Sequence, residues 1–345
     1  DLLKEYSCIF GNQIPVYRGK KIKKRYVWSH FTDRDEENMW SNLESRYFLH
    51  NAFSLFKRDF LLENSFDESL PGKEGFVGSA IREGLKNFYK VCTYDIDPEK
   101  CNSTHEKVST TSDIIFVCLP TPMRPDGSCD TRILEMAIEK INAECKNDSI
   151  QNRPTLVIKS TIPPGTTDRI NNTSLLSVCF SPEFLTEANS FDDFKNQTRI
   201  IIGGPDAKKV KRMFRKPFPR IPIVVTKSET AEMVKYFTNC FLASKVIFAN
   251  QMYEICKESE IDYDKVCEYA LYDTRIGKSH LAVPGPDGDL GFGGHCFPKD
   301  LAAMIYFASQ NKAESEFFKQ VTSSNEKYRS NKDWLKMKGR AISED

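Results

Sequence analysis

The chain has 345 residues, with 49 basic against 48 acidic side chains and a formal net charge of +1. With 40% hydrophobic and 28% charged residues it has the make-up of a soluble globular protein of about two domains. The near-zero balance argues against nucleic-acid binding through a broad positive field. No apolar run approaches the roughly 18 residues of a membrane span, and residues 1–30 lack a charged segment followed by an apolar one, so the expected location is the cytoplasm.

Residues 1–70 are rich in aromatic and charged side chains and carry the basic run RGKKIKKR at 18–25. Met39, Leu43, Tyr47 and Phe48 recur at helical spacing and predict a helix within 36–58. The basic run reads as a solvated face or linker, and the segment is assigned no function. From residue 71 the texture alternates. SAIREGLKNFYK (79–90) predicts a helix and VCTYDID (91–97) a strand ending in acid. Then follow strand 113–122, helix 131–145, strand and turn 155–167, SVCFSPEFL at 177–185, strand 198–205, helix 207–214 and strand 221–226. Strands separated by helices of this length imply βαβ units and a parallel sheet, hence a Rossmann-like doubly wound domain over 71–228.

Residues 229–258 hold no proline or glycine and place Val234, Phe237, Phe241, Phe248, Met252 and Ile255 on one stripe of a long helix. Lys235 and Asn239, one turn apart, fall on the opposite face. A short helix follows at 262–270, a Gly/Pro-rich loop at 277–294, and a further helix from Pro298. The organisation expected is an unassigned segment 1–70, the Rossmann-like domain 71–228, a central helical substrate and dimerisation domain 229–312, and a tail 313–345.

Gly75-Phe76-Val77-Gly78 opening a helix, with Asp95 closing the next strand, is the second half of a dinucleotide fingerprint. Gly75 would let a pyrophosphate approach the helix N-terminus, Gly78 would permit close packing, and Asp95 would accept bonds from an adenine ribose, favouring NAD over NADP. The first glycine is missing, because Lys73 stands where it belongs, and the polar LENSFDESLP at 62–71 replaces a buried first strand.

The chemistry concentrates in GFGGHCFPKD at 291–300. Glycines open the approach to Cys296, a helix begins directly after it, and a thiolate at a helix N-terminus is stabilised by the dipole. Asp300 follows one turn later. A buried structural cysteine in a tight loop fits the same residues equally well. The other ten of the eleven cysteines show no zinc or CxxC spacing and the five histidines form no ligand pattern, so no metal is expected. His280 and His295 read as loop residues.

The decapeptide resembles the active-site cysteine motif of the UDP-glucose/GDP-mannose dehydrogenase family. CLPTP with DGS (118–128), KSTIPPGTT (159–167), SPEFLTEA (181–188), KYFTNCFLASK (235–245) and YDTRIG (272–277) follow in the family's order. Phe297 after the cysteine resembles the UDP-glucose enzymes, and the loop 279–294 is similar to bacterial and phage-type members. The resemblance implies NAD as cofactor and a four-electron oxidation of a nucleotide sugar, a UDP-hexose such as UDP-glucose, from C6 alcohol to carboxylate. Cys296 would match the nucleophile and pass through a thiohemiacetal and a thioester. By position, Lys235 and Asn239 match the oxyanion-stabilising pair, Glu183 the acid–base candidate, and Asp300 the residue that orients water. Thr161 and Glu187 match residues beside the nicotinamide and a catalytic water, with Thr161 counted among the catalytic residues; Val77, Pro120 and Thr121 match cofactor contacts. Phe184, Leu185, Phe292 and Gly293 match substrate contacts, and Arg275 an arginine that reaches a substrate in the neighbouring subunit of a homodimer. Glu183 and Glu187 would share a face if their turn is helical.

Family members usually carry a third, C-terminal nucleotide-binding domain, and the ending SNEKYRSNKDWLKMKGRAISED is similar to that of short phage-type relatives, so this domain is expected to be absent. Two other readings compete with the dehydrogenase: a non-catalytic nucleotide-sugar-binding protein with a degenerate cofactor site, and a two-electron 3-hydroxyacid-type dehydrogenase.

Overall fold

The computed structural model describes residues 76–146 and 153–344 and, before them, four short strands. The latter form two antiparallel pairs, Cys8–Phe10 with Ser54–Phe56 and Val16–Tyr17 with Lys20–Lys21. Ser54–Phe56 is therefore strand where the spacing predicted helix, because Cys8–Phe10 supplies a partner edge; the rest of the 36–58 prediction lies outside the described residues, as does Gly75. Contacts group residues 1–72 with 286–288 in one unit and residues 73–285 with 289–345 in another.

The second unit is built on a five-stranded sheet. Its strands, in sequence and in spatial order, are β1 (Ile114–Val117), β2 (Thr155–Ile158), β3 (Val178–Phe180), β4 (Ile200–Gly203) and β5 (Ile223–Thr226). β2 is buried along its whole length because the sheet is covered on both faces. Leu156 and Ile158 point to one face with Val117, Val178 and Phe180, while Val157 points to the other with Cys179, Ile200 and Ile202. The sheet is not wholly parallel as the pattern predicted. β3 and β4 are antiparallel and meet only through Phe180 and Gly203, the last residue of each. The chain enters β4 from the far end, through α5 (Ser190–Lys195), whose Phe194 ring lies against Gly84 of α1 (Phe76–Leu85).

The expected strand at 91–97 is a loop ending in a 3-10 turn, Pro98–Lys100. Among the described residues no strand pairs with it, so its backbone groups turn to side chains. Asn102 takes the Thr93 N–H and gives to the Val91 carbonyl, and the Asp95 N–H meets the Cys101 sulfur at 3.1 Å.

α2 (His105–Thr111) precedes β1, and α3 (Arg132–Glu144), α4 (Thr166–Asn171) and α6 (Ala207–Arg215) run between the strands. The predicted long helix is α7, Ser228–Glu258, whose 31 residues span roughly 46 Å. It is followed by α8 (Tyr263–Ala270), α9 (Phe297–Gln310) and α10 (Glu316–Tyr328). α9 and α10 pack against α7 through Tyr236, Cys240, Ala243, Ile247, Leu301, Met304 and Val321. The amphipathicity of α7 is inverted with respect to this core. Glu232, Lys235, Asn239 and Asn250 are buried, whereas Phe237, Phe241, Phe248 and Ile255 are more than half exposed. Among the described residues no helix is long and apolar enough to cross a membrane.

Candidate active site

The loop before α9 is gripped by polar side chains from three directions. Asn250 of α7 accepts the Gly291 N–H at 3.0 Å. Asn325 of α10 accepts the Phe292 N–H at 2.8 Å and returns a bond to the Phe292 carbonyl at 3.0 Å. Asp333, in a 3-10 turn at Asp333–Lys336, receives the Gly294 N–H at 3.1 Å. Arg329 and Asp333 come so near Gly293 that a Cβ there would collide with both. This clamp sets Cys296 at the N-cap of α9, with Phe297 first and Pro298 second in the helix, one step later than the sequence suggested. The Phe292 ring is buried edge-on against Phe297, 5.8 Å between centroids.

Behind the cysteine lies a buried charged cluster. Lys235 Nζ donates to Glu183 Oε1 at 2.7 Å and to the Glu183 carbonyl at 2.9 Å. Asn239, one turn along α7, donates to Asp300 Oδ2 at 2.6 Å, and Lys299 Nζ reaches Asp300 Oδ1 at 2.5 Å. All five side chains are at least nine-tenths buried, which by itself favours neutral forms. Mutual pairing reverses that. Burial pushes the Glu183 carboxyl up, but the Lys235 charge and hydrogen bond, with the Leu185 N–H, leave it below the usual range. Burial likewise pushes Lys235 down, and Glu183, Cys296 and Asp300 raise it above an ordinary lysine. Lys299 is raised in the same way by Asp300, Cys129 and Cys296. These are permanent charges at neutral pH, arranged around the thiol.

Thr161 lies within the loop between β2 and α4. Its carbonyl accepts the Thr121 hydroxyl at 2.8 Å and faces the Cys129 sulfur at 3.6 Å, and Cys129 in turn feels the charges of Lys299 and Asp300. Thr121 is buried and Pro120 exposed at the carboxyl end of β1, where Gly78 of α1 also approaches Cys118. A cavity of about 200 Å3 opens beside Glu183 between Val77, Ile81, Lys159, Phe184 and Arg199, with Leu185 on its wall. The Arg199 guanidinium lies 4.0 Å over the Phe184 ring. Lys159 is buried and donates to the Pro182 carbonyl at 3.0 Å; burial lowers it to about 8.

The structure thus brings together Cys296, Lys235, Asn239, Asp300 and Glu183, with Thr161 adjoining. It separates others. Glu183 and Glu187 do not share a helical face, because the turn becomes 3-10 only from Glu187 and Glu183 is drawn inward to Lys235. Glu187 instead meets Arg340 at 3.2 Å and His295 at 3.3 Å. Arg275 is exposed and holds Asp273 in a double hydrogen bond. Asp95 spends its carboxylate on the Asp97 N–H within its own loop. Three participants escaped the sequence reading: Lys299, Lys159 and Arg340. Lys299 carries a signal in hindsight, standing between Pro298 and Asp300 in the first turn of α9. Arg340 carries none, since its role depends on the chain returning over 153 residues to Glu187. Among the described residues no group of three acidic, histidine or cysteine side chains could hold a metal.

Two family models match the chain: the UDP-glucose/GDP-mannose dehydrogenase family NAD binding domain over residues 79–217, and the central domain of the same family over 229–327. Among curated proteins, UDP-glucose 6-dehydrogenase YwqF of Bacillus subtilis is 33% identical over 266 residues, covering 74% of this chain and 55% of that protein. The UDP-glucose 6-dehydrogenase of Rickettsia conorii is 28% identical over 292 residues, 83% of this chain and 63% of that one. The chain therefore spans between half and two thirds of the length of these relatives. Among solved structures, a UDP-glucose dehydrogenase from Pyrobaculum islandicum superposes with a TM-score of 0.59 at 30% identity, covering 73% of this chain and 64% of that one. A ternary complex of GDP-mannose dehydrogenase from Pseudomonas aeruginosa gives 0.53 at 26%, covering 74% and 67%.

Proposed function

The chain belongs to the UDP-glucose/GDP-mannose dehydrogenase family, and from that premise we propose that it oxidises the C6 alcohol of a nucleotide sugar, UDP-glucose first among candidates, to the carboxylate. NAD would supply the hydride acceptor when bound, two molecules each taking one hydride per sugar. The donor set suits it: α1 carries no acidic residue in its first turn, which leaves its N-terminal amides compatible with a pyrophosphate. Val77, Gly78, Pro120, Thr121, Thr161 and Glu187 are the residues proposed to line it, at the carboxyl ends of parallel strands.

In this reading Cys296 is the nucleophile. Its thiolate adds to the C6 aldehyde to give a thiohemiacetal, and water cleaves the thioester formed after the second oxidation. Lys235 donates two hydrogen bonds to Glu183, one to its carboxylate and one to its carbonyl, and is proposed to direct its positive charge at the C6 oxygen. Asn239, through its bond to Asp300, holds that carboxylate in place to orient the attacking water. Glu183 is the proposed acid–base, and Phe184, Leu185, Phe292 and Gly293 the sugar-nucleotide contacts. The Phe237, Phe241, Phe248 face is the proposed contact of a homodimer, to which Arg275 would contribute across the interface, and the proposed location is the cytoplasm.

The observation that supports this reading most is the buried Lys235–Glu183 and Asn239–Asp300–Lys299 pairing directly behind Cys296. The test is incubation with UDP-glucose and NAD, which should yield two NADH per sugar in the full chain and little net turnover with Cys296→Ser. No NADH with any UDP- or GDP-hexose refutes the proposal.

A further inference from the structure

His295 directly precedes the proposed nucleophile, and as a sequence it reads as a loop residue. Its surroundings say otherwise. The ring is almost wholly enclosed, with 13% of the side chain exposed, and stands edge-on to Phe76 at 5.7 Å. Nδ1 lies 3.3 Å from Glu187 Oε2, near enough to pair as charges though not aligned as a hydrogen bond. The second oxygen of Glu187 is held at 3.2 Å by Arg340, in a C-terminal segment that crosses back over the loop. That segment is fixed independently, since Met123 exchanges backbone hydrogen bonds of 2.8 Å with Ala341 and Ser343. Arg340 lies outside the residues that either family model matches.

A carboxylate beside a buried imidazole has two chemical uses. It can orient a neutral ring as a base, or hold a charged ring as a cation. Burial lowers the imidazole, but the Cys296 sulfur and the Glu187 carboxylate outweigh that and raise it to about 9. At neutral pH the ring is then a cation, a poor base and a good counter-ion. The charges it meets are Glu187 from the turn after β3, Arg340 from the C-terminal segment and Cys296 on its own loop. Beyond the sulfur stand Lys235 from α7 and Lys299 from α9, both acting on Cys296, with Asp300 paired to Lys299.

We propose that His295 is a positioning residue of this centre: clamped by Glu187, which Arg340 braces, it serves as the fixed counter-ion of the Cys296 thiolate and keeps that thiol reactive at neutral pH. The proposal rests on Cys296 being the nucleophile of the reaction above, but its test needs neither NAD nor sugar, so its failure and a failure of turnover are separable.

The test is the rate at which iodoacetamide alkylates Cys296 in the intact chain between about pH 6 and 9, read by peptide mass spectrometry with Cys296→Ser as blank. An opposite charge beside an ionisable group changes its ionisation equilibrium about tenfold or more. His295→Gln should therefore alkylate about tenfold more slowly near pH 7 than the native chain. His295→Lys, which returns a cation, should recover most of the loss. Superimposable native and His295→Gln profiles overturn the proposal, and so does an equal loss in the Gln and Lys variants, which would mark a steric role. Independently of any variant, the imidazole signals of the native chain should show one histidine still protonated above about pH 8; complete loss of imidazole protonation below that pH refutes it.

Discussion

Replacing Lys235 with methionine isolates the strongest interaction in the centre. The ammonium sits 2.7 Å from Glu183 Oε1 and 2.9 Å from its carbonyl, with the two side chains 5% and 8% exposed. Methionine keeps the apolar stem, so what is lost is one charge and two hydrogen bonds. What remains is a buried carboxylate that still accepts the Leu185 N–H at 2.6 Å and feels the Lys159 charge. Stripping one partner from a buried pair costs about 3–5 kcal/mol. Because Glu183 keeps that amide and a second cation, the expectation is the lower end, roughly 3 kcal/mol. Glu183→Gln should cost roughly 2 kcal/mol, since Lys235 retains the carbonyl and the charges of Cys296 and Asp300. The double variant should fall short of the sum by roughly 2 kcal/mol, as residues in direct contact do. Urea unfolding at neutral pH, repeated in high salt, supplies the numbers. A buried pair is little screened, so the coupling should survive salt. A Lys235→Met cost below about 1 kcal/mol, the value of an exposed pair, or additive single variants, would mean that Lys235 and Glu183 are not coupled as a buried pair.

The folded His295 imidazole at about 9 lies above its ordinary 6.5, so its charged form stabilises the fold fully below about pH 6.5 and loses that contribution as pH rises through about 9. The stability difference between native chain and His295→Gln, from urea curves, should shrink by roughly 3 kcal/mol across that window; a constant difference contradicts it. Glu232 is fully buried in α7 and accepts the Gly165 and Thr167 N–H groups at 2.6 and 2.8 Å. Glu232→Ala should cost about 2–4 kcal/mol by orphaning both amides and leaving a cavity, and Glu232→Gln about half that, seen as shifted urea midpoints. At Gly203 an added Cβ would lie 2.7 Å from the Lys227 carbonyl and the Ser228 Cα, backbone that cannot yield cheaply. Gly203→Ala should lower stability by about 2–3 kcal/mol, read as a fall in Tm.

The sheet from β1 onward was legible because its strands are short apolar runs between helices, and β2, β3 and β4, buried along their whole length, carry no alternation to confuse them. VCTYDID failed for a physical reason. Its residues have strand propensity, but a strand is stable only against a partner, and the contacts that replace the partner come from Asn102 and Cys101, which no periodicity announces. Cys296 at a helix N-terminus was legible from Pro298 alone. The convergence of Lys235, Asn239, Asp300 and Glu183 was not: without the family resemblance, a lysine and an asparagine opposite a phenylalanine stripe read as a solvated face. His295 and Arg340 were beyond reach, because their meeting at Glu187 depends on the C-terminal segment crossing back past Met123.

The inverted helix explains how a site of this kind can be held by one element. Burying Lys235, Glu232, Asn239 and Asn250 in α7 is unfavourable unless each is paired, and each is paired with a different segment. Glu232 caps α4, Lys235 draws in the Glu183 loop, Asn239 fixes Asp300 at the head of α9, and Asn250 holds Gly291 before the cysteine. Apolar contacts fix distance but tolerate sliding, whereas hydrogen bonds fix direction as well. A core of leucine on this face would stabilise the packing of α7 without specifying where the loops lie. The polar stripe sacrifices some of that burial for orientation, and the phenylalanines, excluded from the inner face, are left on the outer one. The same sequence feature that makes α7 look reversed is thus what locates the thiol, its neighbouring charges and the Glu183 loop relative to a single rigid axis.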